Sequence, residues 1–404
     1  MPCSGVLRAG ASFSLTSDSI QMLPLEGIRV VEFCQVLAGP FAGCLLADMG
    51  ADVIKVESPE GDLMRQWPPL LDGYSQYFAS VNRNKRSVVI DLKSDQGRTD
   101  ARRLALNADI LLENFRPGVM ARFGLDHATL AKDHPALVYC SVSAFGQSGP
   151  RAAEGGFDMT VQAMSGVMSV TGERDGRPAK CGIPIADFSA GLYAAFSATA
   201  ALHKARATGK GDHIDVSMLG AMLGIANLQT SELFGTGRDP VRLGSAHPMN
   251  APYAAFCCRD GYFALAAGTN KLWEAACVAI ERADLTQDAR FATPTLRAKN
   301  QDALRELLEA EFIKYDAADL LARMNERGVP CAPLYSYSQV LADPQVEHMQ
   351  WVEPMTLPNG VTSKTVVSPQ RVSGQRLGLR CAPPALGQHT REILDELNRM
   401  KAAS

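Results

Sequence analysis

Long apolar runs, an excess of one charge sign and paired cysteine motifs are all missing from this chain of 404 residues. The longest apolar stretch, around 185–201, is interrupted by Asp187, Ser189 and Gly191, so it falls short of the roughly 18 residues that a membrane-spanning helix needs. The 40 Lys and Arg nearly balance 43 Asp and Glu, which leaves no basic surface for DNA or RNA. We therefore expect neither a membrane nor a nucleic acid as partner.

The ten cysteines lie scattered between Cys3 and Cys381 without a CxxC pair. In a chain of this length they are typical of small buried side chains rather than of a disulfide framework. We therefore expect a reducing compartment, the cytoplasm or, in a eukaryote, the mitochondrial matrix. Residues 1–23 hold one arginine and several serines, which predicts a disordered extension, with a transit peptide as the alternative.

The fingerprints of several common enzyme classes are also absent. There is no GxxxxGK[ST] phosphate loop, no GxGxxG after the first predicted strand, no HExxH and no GxSxG. The seven histidines show no metal-ligand spacing. Nucleotide hydrolysis, hydride transfer, zinc hydrolysis and a serine triad are therefore disfavoured, and we expect no metal and no tightly bound cofactor.

What the first 150 residues do contain is an alternation of strand and helix patterns. Short apolar runs rich in β-branched residues occur at 28–33, 52–57, 87–92, 109–114 and 137–142. Strand, helix and strand within about 30 residues make a βαβ unit, which requires a parallel sheet covered by helices. The pattern predicts a Rossmann-like α/β large domain.

Beyond Pro150 the alternation is lost. Helices are predicted over 185–206, near 213–234, and over 270–280 and 301–326, while 253–258 and 262–267 form a hairpin pattern and 329–335 a return strand. These patterns indicate a smaller α+β domain inserted in the large one. The predicted boundaries are an extension at 1–23, the first part of the large α/β domain at 24–210, the small domain at 220–325, and a return segment with the C-terminal part of the large domain at 326–404.

Eight segments of the chain form a recognisable series. They are LEGIRVVEFCQVLAGPFAGCLLADMGADVIKVESPEGD (25–62), NRNKRSVVIDLKSDQG (82–97), ADILLENFRPGVMARFGLD (108–126), SAFGQSGP (143–150), GGFDMTVQAMSG (155–166), GKGDHIDVSM (209–218), GVPCAPL (328–334) and PALGQHT (384–390). In this order, and over about residues 24–395, they resemble the class III coenzyme A transferases, the family of formyl-CoA transferase and carnitine CoA-transferase. The resemblance implies a homodimer of two interlocked chains that binds CoA in the large domain, with an acyl-CoA and a small carboxylic acid as substrates.

Asp158 follows Gly155-Gly156 and opens a helical stretch. From its position alone, a carboxylate at a helix start is ordinarily an N-cap. The resemblance instead makes it the family's catalytic aspartate. Aspartate side chains ordinarily have a pKa of about 3.9 and are ionised at neutral pH, so such a nucleophile needs no partner base. The implied reaction passes through an acyl-aspartyl anhydride and an aspartyl-CoA thioester.

The resemblance also implies CoA contacts in the large domain. The positions that match them are Gln35, Val36, Leu37 and Ala38 in the loop after the first strand, Lys93 and Arg122 near the phosphates or adenosine, and Asn114 and Phe115 at a strand end. Parallel sheets place ligands at such strand ends. Each position also has an ordinary interpretation: a plain turn for the loop, exposed helix charges for Lys93 and Arg122, and a core residue for Phe115. Arg86 is a weaker basic candidate.

Two segments depart from formyl-CoA transferase. Where that enzyme has a glycine-rich loop that closes over its active site, this chain has GSAHPMNAPY (244–253), so the same gating is not expected. His247 or Asn250 is instead predicted to help form the acyl pocket, with a surface position as the alternative for His247. The loop is more similar to relatives that use succinyl-CoA, which favours that donor. Ser58 stands where the formyl-CoA enzyme has an arginine.

Two other functions remain open. The α-methylacyl-CoA racemases share the fold but typically have a histidine directly before the aspartate, where this chain has Phe157. A non-catalytic CoA-binding protein on the same fold is the second alternative, and the intact Asp158 counts against it.

Overall fold

The computed structural model describes residues 22–403, so the predicted extension at 1–23 lies outside the described residues except for its last two. The first part of the chain contains β1 (Arg29–Phe33), α1 (Ala38–Asp48), β2 (Asp52–Glu57), β3 (Leu70–Leu71), β4 (Tyr74–Ser75), α2 (Gln76–Asn82), β5 (Lys85–Val89), α3 (Asp95–Ala105), β6 (Ile110–Glu113), α4 (Val119–Arg122), α5 (His127–Leu130), β7 (Val138–Ser143), α6 (Asp158–Met164), α7 (Val167–Val170), α8 (Ile185–Thr208), β8 (His213–Ser217), α9 (Met218–Ile225) and α10 (Asn227–Thr236).

The rest of the chain contains β9 (Tyr253–Cys258), β10 (Gly261–Ala266), α11 (Asn270–Ala279), α12 (Pro294–Lys299), α13 (Gln301–Phe312), α14 (Ala317–Glu326), β11 (Cys331–Pro333), α15 (Tyr337–Val340), α16 (Pro344–Met349), β12 (Val352–Thr356), β13 (Thr362–Val366), β14 (Arg371–Val372), β15 (Gln375–Arg376) and α17 (Thr390–Ala403). Single-turn 3-10 helices lie at Leu63–Gln66, Ala283–Gln287 and Ala289–Phe291.

A six-stranded parallel sheet forms the centre of the large domain, in the order β5-β2-β1-β6-β7-β8. Counted along the chain, these strands run 3-2-1-4-5-6, the order of the Rossmann fold, and the order reverses between β1 and β6. Successive residues of β1 point to opposite faces. Val30 packs under α1 and α8, whereas Val31 packs under α3 and α17. The predicted parallel α/β core is confirmed.

The sequence analysis was wrong about residues 213–217. It predicted a helix there, but these residues form β8, the sheet's edge strand, and the helix begins only at Met218. The five-residue HIDVS run alternates polar and apolar side chains, with only Val216 buried. This alternation is short and stands directly before an apolar helix. Its hydrophobic period is therefore too weak to distinguish the strand from the start of the helix.

Helix α8 is the longest element, with 24 residues. By length and composition alone it could cross a membrane, and half of its most apolar window is buried. Its alanine face, including Ala190, Ala194 and Ala198, packs against α1. A Cβ on Gly191 would lie 2.8 Å from the Ala38 carbonyl oxygen, so a small residue is required for this close approach. This packing is that of a core helix.

A second core is built from the antiparallel sheet β11-β10-β9 and helices α11–α14. The predicted hairpin is confirmed, since β9 and β10 pair from Cys258 and Gly261 outward. The strand predicted at 329–335 forms as β11, but it does not rejoin the large sheet as predicted. It pairs with β10 instead. The segment that does return is α17, whose Ile393 and Leu397 join the core beneath β5 and α3.

Candidate active site

A cleft of about 350 Å³ opens where the strand order reverses, at the carboxyl ends of β1, β6 and β7. Open α/β sheets bind their ligands at this point. Loop 154–157 closes one side of the cleft, and Asp187 and Met218 reach it from α8 and α9. Six of the residues predicted to contact CoA line it together: Gln35, Val36, Leu37, Ala38, Asn114 and Phe115.

The loop after β1 is held by a side chain from the neighbouring strand. The Asn114 side chain accepts a hydrogen bond from the Gln35 backbone N–H at 2.9 Å and donates one to the Gln35 carbonyl oxygen at 2.8 Å. Asn114 therefore satisfies both backbone groups of Gln35 and spans the reversal point. The helix α1 begins directly afterwards, and no side chain of the described residues caps it, which leaves its partly positive N-terminus towards the cleft.

Leu37 and Phe115 line the cleft and also pack against neighbouring apolar side chains. The Leu37 side chain is buried in a cluster with Met64, Phe78 and Val81, so only part of it lines the cleft. Phe115 packs against the core on the α3 face while also lining the cleft. Both residues therefore shape the cleft from a fixed position.

Asp158 is the first residue of α6, and two donors hold its carboxylate. One oxygen accepts from the Ala186 backbone N–H at 2.9 Å, and the other accepts from the Gln162 side-chain amide at 2.7 Å. Gln162 is fully buried and its own oxygen accepts from the Cys181 N–H at 2.8 Å. Asp158 itself is not among the residues that line the cleft, but its neighbour Phe157 is. The carboxylate thus has a fixed orientation at the margin of the cleft.

Asp187 is a second carboxyl group at this margin, and the sequence analysis did not identify it. It lies in the first turn of α8, next to the Ala186 N–H that Asp158 accepts, and it lines the cleft. Burial, and then the charge of Asp158, raise its pKa to about 7. The only signal in the sequence was an acidic residue interrupting an otherwise apolar stretch.

Glu113 was missed as well. It ends β6, is buried, and accepts the Phe115 backbone N–H at 2.9 Å. Burial raises its pKa to about 7, against the opposing effect of its hydrogen bond with Ser141. Glu113 therefore fixes the start of the loop that carries Phe115 into the cleft.

A second cleft of about 280 Å³ extends the first along the same sheet edge, towards β2 and β5. Gln35 and Phe115 line both clefts, so the two are adjacent. Lys93 lines the second cleft with an exposed side chain, and Ser58 lies there too. Together the two clefts make one continuous groove, with Lys93 in the second cleft and Asp187 in the first.

Comparison with known protein families identifies the family to which a protein with this cleft belongs. Residues 25–390 match the family model described as CoA-transferase family III. The chain belongs to this family.

Individual members of the family are similar to this chain over nearly its whole length. A succinate–glutarate CoA-transferase of Agrobacterium fabrum is 39% identical over 386 residues, covering 94% of this chain and 96% of that protein. A succinyl-CoA:glutarate CoA-transferase of Mus musculus is 37% identical over 387 residues, covering 95% and 88%. The crystal structure of a CAIB/BAIF family protein from Brucella suis superposes with a TM-score of 0.84 at 39% identity, covering 93% of this chain and all of that one. The chain is therefore a CoA-transferase, and CoA thioesters are its substrates.

In this family III CoA-transferase, two basic candidates lie away from the clefts. Arg122 is exposed on α4 and lines neither cleft, although its neighbour Phe123 lines the second. Arg86 forms ion pairs with Asp52 and with Glu396 of α17, at 2.6 and 2.7 Å. The interpretation of Arg86 as a phosphate contact is therefore wrong: its guanidinium joins the C-terminal helix to the sheet.

His247 and Asn250 lie in the loop before β9. The His247 Nδ1 accepts the backbone N–H of Met249 at 3.0 Å and of Asn250 at 3.2 Å, so the ring organises its own loop. Neither residue lines the groove that contains Asp187 and Lys93. Within one chain, the structure does not bring these two residues to the aspartates.

Among residues 22–403, no cluster of three or more His, Cys, Asp or Glu side chains is placed to hold a metal ion.

Proposed function

We propose that this enzyme transfers CoA from an acyl-CoA to a dicarboxylic acid through covalent intermediates on Asp158. The observation that carries the proposal is the carboxylate of Asp158, held by two hydrogen bonds at the margin of the cleft. Because a CoA thioester already holds the energy that the product thioester needs, neither a nucleotide nor a metal has to drive the transfer.

The first half-reaction has two steps. An Asp158 carboxylate oxygen attacks the thioester carbonyl carbon, the C–S bond breaks, and CoA leaves as its thiolate, which gives an acyl-aspartyl anhydride. The thiolate, kept close by its bound nucleotide part, then attacks the aspartyl carbonyl carbon. The acyl group departs as a free carboxylate, and CoA remains as a thioester of Asp158. The acceptor carboxylate reverses both steps and leaves as the new acyl-CoA.

The donors to Asp158 bear on the charge that develops in these steps. When the thiolate attacks the aspartyl carbonyl, negative charge collects on a carboxyl oxygen of Asp158. The Gln162 amide and the Ala186 N–H already donate to those oxygens. Donors placed before the reaction stabilise such an oxyanion without reorganising. Only one of the two oxygens can carry that charge, because the other becomes the bridge of the anhydride. We therefore assign Gln162 to stabilisation of the oxyanion, with the Ala186-bonded oxygen as the nucleophile.

The proposed donor is succinyl-CoA and the proposed acceptor a four- or five-carbon dicarboxylate. The support is the pair of relatives named for succinate or succinyl-CoA and glutarate, together with the GSAHP loop that this chain has in place of a glycine run. A panel of succinyl-, acetyl-, formyl- and oxalyl-CoA against small dicarboxylates tests this. A higher kcat/KM with formyl- or oxalyl-CoA would contradict the assignment.

The quaternary structure that we propose is an interlocked homodimer. In support, α8 and α10 expose large apolar side chains in the single chain, with Phe196 72% and Phe234 83% exposed. Exposed apolar surface of this kind ordinarily lies in an interface. A partner chain would cover it.

The test of the chemistry uses Asp158→Ala and Asp158→Asn. Both variants should bind CoA with unchanged affinity and show no transfer, because the nucleophile is gone. Normal turnover in either would overturn the mechanism.

Proton exchange at the α-carbon is the competing activity, and the raised pKa of Asp187 is the observation that favours it. Incubation with succinyl-CoA in D₂O separates the two functions. Transfer predicts no α-deuterium in the recovered thioester, whereas rapid incorporation would favour racemisation.

A further inference from the structure

Four charged side chains lie buried together beneath the loop after β1. Lys55 contacts Asp62 at 2.9 Å and Glu32 at 3.5 Å, and Lys85 contacts Glu32 at 2.9 Å. None of the four side chains has any exposed surface. Two cations balance two carboxylates, so the group has no surplus positive charge with which to attract a phosphate.

Lys55 and Asp62 remain charged despite their burial. Burial raises the pKa of Asp62, but Lys55 outweighs this effect and holds the pKa below its ordinary value. Burial likewise opposes the charge of Lys55, while Asp62 and Glu32 together raise its pKa. The pair therefore stays ionised across the range in which an enzyme works.

Lys55, Asp62 and Lys85 also make hydrogen bonds to backbone groups of the loop after β1 and of the first turn of α1. Lys55 Nζ donates to the Cys34 carbonyl oxygen at 2.8 Å. Both oxygens of Asp62 accept the Val36 backbone N–H, at 3.1 and 3.2 Å. Lys85 Nζ donates to the Pro40 carbonyl oxygen, in the first turn of α1, at 2.7 Å. Buried charged side chains thus hold three backbone groups between the end of β1 and the first turn of α1.

The loop needs this restraint because Val36 is strained. Its φ is +64°, in the left-handed region that β-branched residues rarely adopt. Such a conformation persists only where its surroundings impose it, and it is typical of ligand-binding segments. The bond from the Val36 N–H to the Asp62 carboxylate is charge-assisted and supplies that restraint.

We propose that Asp62 and Lys55 are positioning residues for the CoA thioester, which hold loop 35–38 in the strained conformation that receives it. The inference rests on the proposed function, since it takes this loop to contact CoA. Stability alone does not account for the arrangement, because buried ion pairs are often replaceable by apolar residues without loss of stability. What apolar residues cannot supply is an acceptor for the Val36 N–H and a donor for the Cys34 carbonyl.

The experiment compares Asp62→Asn with a matched control in the full-length enzyme. Asp48→Asn is that control, because Asp48 is equally buried, pairs with Arg83 at 2.6 Å, and lies at the opposite end of α1 from the loop. Asp62→Asn should raise the KM for acyl-CoA, and the Kd for CoA measured by calorimetry, by about ten- to a hundred-fold, with kcat changed by less than about threefold. Asp48→Asn should lower the unfolding temperature and leave KM and Kd unchanged.

A rescue variant separates positioning from folding. Glycine adopts the conformation of Val36 without strain, so Val36→Gly added to Asp62→Asn should lower the KM again by about three- to ten-fold. If Asp62→Asn does not fold, Lys55→Met combined with Asp62→Asn is measured instead. That variant leaves Glu32 and Lys85 as a balanced pair and should show the same rise in KM.

Three results would overturn the proposal. The first is an unchanged Kd for CoA in a folded Asp62 variant, and the second is a change in Kd and KM equal to that caused by Asp48→Asn. The third is a KM that Val36→Gly does not lower in the Asp62→Asn background. Failure of the proposed function is recognised separately, because it would appear in the wild-type enzyme as the absence of a covalent adduct on Asp158. The calorimetric Kd for CoA does not depend on that adduct.

Discussion

At the scale of single residues, the margin of the cleft combines a fixed carboxylate, the proposed nucleophile Asp158, with a second carboxyl group, Asp187, whose pKa is raised. Asp158 is held by two hydrogen bonds, whereas the Asp187 carboxyl makes none to the described residues and its pKa is raised to about 7. The ordinary pKa of an aspartate is about 3.9. Between these two values the folded protein binds one more proton at Asp187 than the unfolded chain does. This site's contribution to stability is therefore full below about pH 4 and is lost as the pH rises through about 7.

The Asp187→Asn variant tests the predicted direction in which stability changes with pH. The amide is neutral at every pH, so the variant should be more stable than the wild type at pH 8, by on the order of 2 to 4 kcal/mol, and should lose that advantage at pH 4. Thermal unfolding of both proteins across this pH range measures the difference. Glu113 titrates in the same range but is present in both proteins, so its effect cancels. An advantage that does not depend on pH would contradict the raised pKa.

Gln162 provides a second residue-scale prediction. Replacing it with Met removes the donor to Asp158 while keeping an unbranched side chain of similar length. Loss of one oxyanion donor should lower kcat by about a hundred-fold with little change in the KM for acyl-CoA, because the interaction strengthens in the transition state. Gln76→Met is the control, because the Gln76 side chain lines neither cleft and bonds to Lys364 and Ser363, and it should leave kcat unchanged. A rise in KM with normal kcat would instead make Gln162 a binding residue.

The sequence identified some of these residues and missed others for physical reasons. The positions of Asp158 and Asn114 were predictable, because a strand end and a helix start have clear local signals. Gln162 was within reach, since it lies four residues after Asp158 on one helix face. Lys55 was visible as a lysine inside an apolar strand, which requires a buried partner. That its partner is Asp62, and that both hold Val36, depends on contacts between separate segments that no local pattern contains.

At the scale of elements, alternation of strands and helices predicted the parallel core because each βα unit has its own period. The edge strand β8 was not separable from the helix that follows it. The strand β11 was identified as a strand, but its pairing with β10 was not predictable, because three residues do not specify a partner. The docking of α17 on β5 depends on ion pairs between residues about 300 positions apart.

Arg86→Met tests the structural assignment of that arginine. Removing the guanidinium leaves Arg29 as the one cation that still pairs with both Asp52 and Glu396, so the free energy of unfolding should fall by about 1 to 3 kcal/mol. The KM for acyl-CoA should not change. Arg102→Met, which removes a more exposed pair with Asp133, is the matched control and should cost less than about 1 kcal/mol. A large rise in KM for Arg86→Met would restore its role as a phosphate contact.

At the scale of the whole molecule, the exposed apolar side chains of α8 and α10 favour a dimer. Light scattering after gel filtration should give twice the chain mass of 43.4 kDa over a wide concentration range. Phe234→Glu places a charge on the most exposed of these aromatics and should weaken the dimer or produce aggregates. A stable wild-type monomer would contradict the interlocked arrangement.

The proposed dimer also bears on two predicted pocket residues that a single chain does not bring to the cleft. His247 and Asn250 lie in a loop of the small domain that lines neither cleft of the groove. Their role in the acyl pocket remains a prediction, which His247→Ala and Asn250→Ala test through the KM for different acyl donors. A donor-selective change supports the pocket, and an equal change with every donor does not.

In the proposed reaction Asp158 carries the acyl group and then CoA. Incubating the enzyme with succinyl-CoA and hydroxylamine, followed by mass spectrometry of the peptide that contains Asp158, detects these intermediates. We expect a hydroxamate on Asp158 that forms only when the thioester is present and is absent from Asp158→Asn. An unmodified Asp158 in an enzyme that is turning over, or a hydroxamate on another residue, would contradict the proposed reaction.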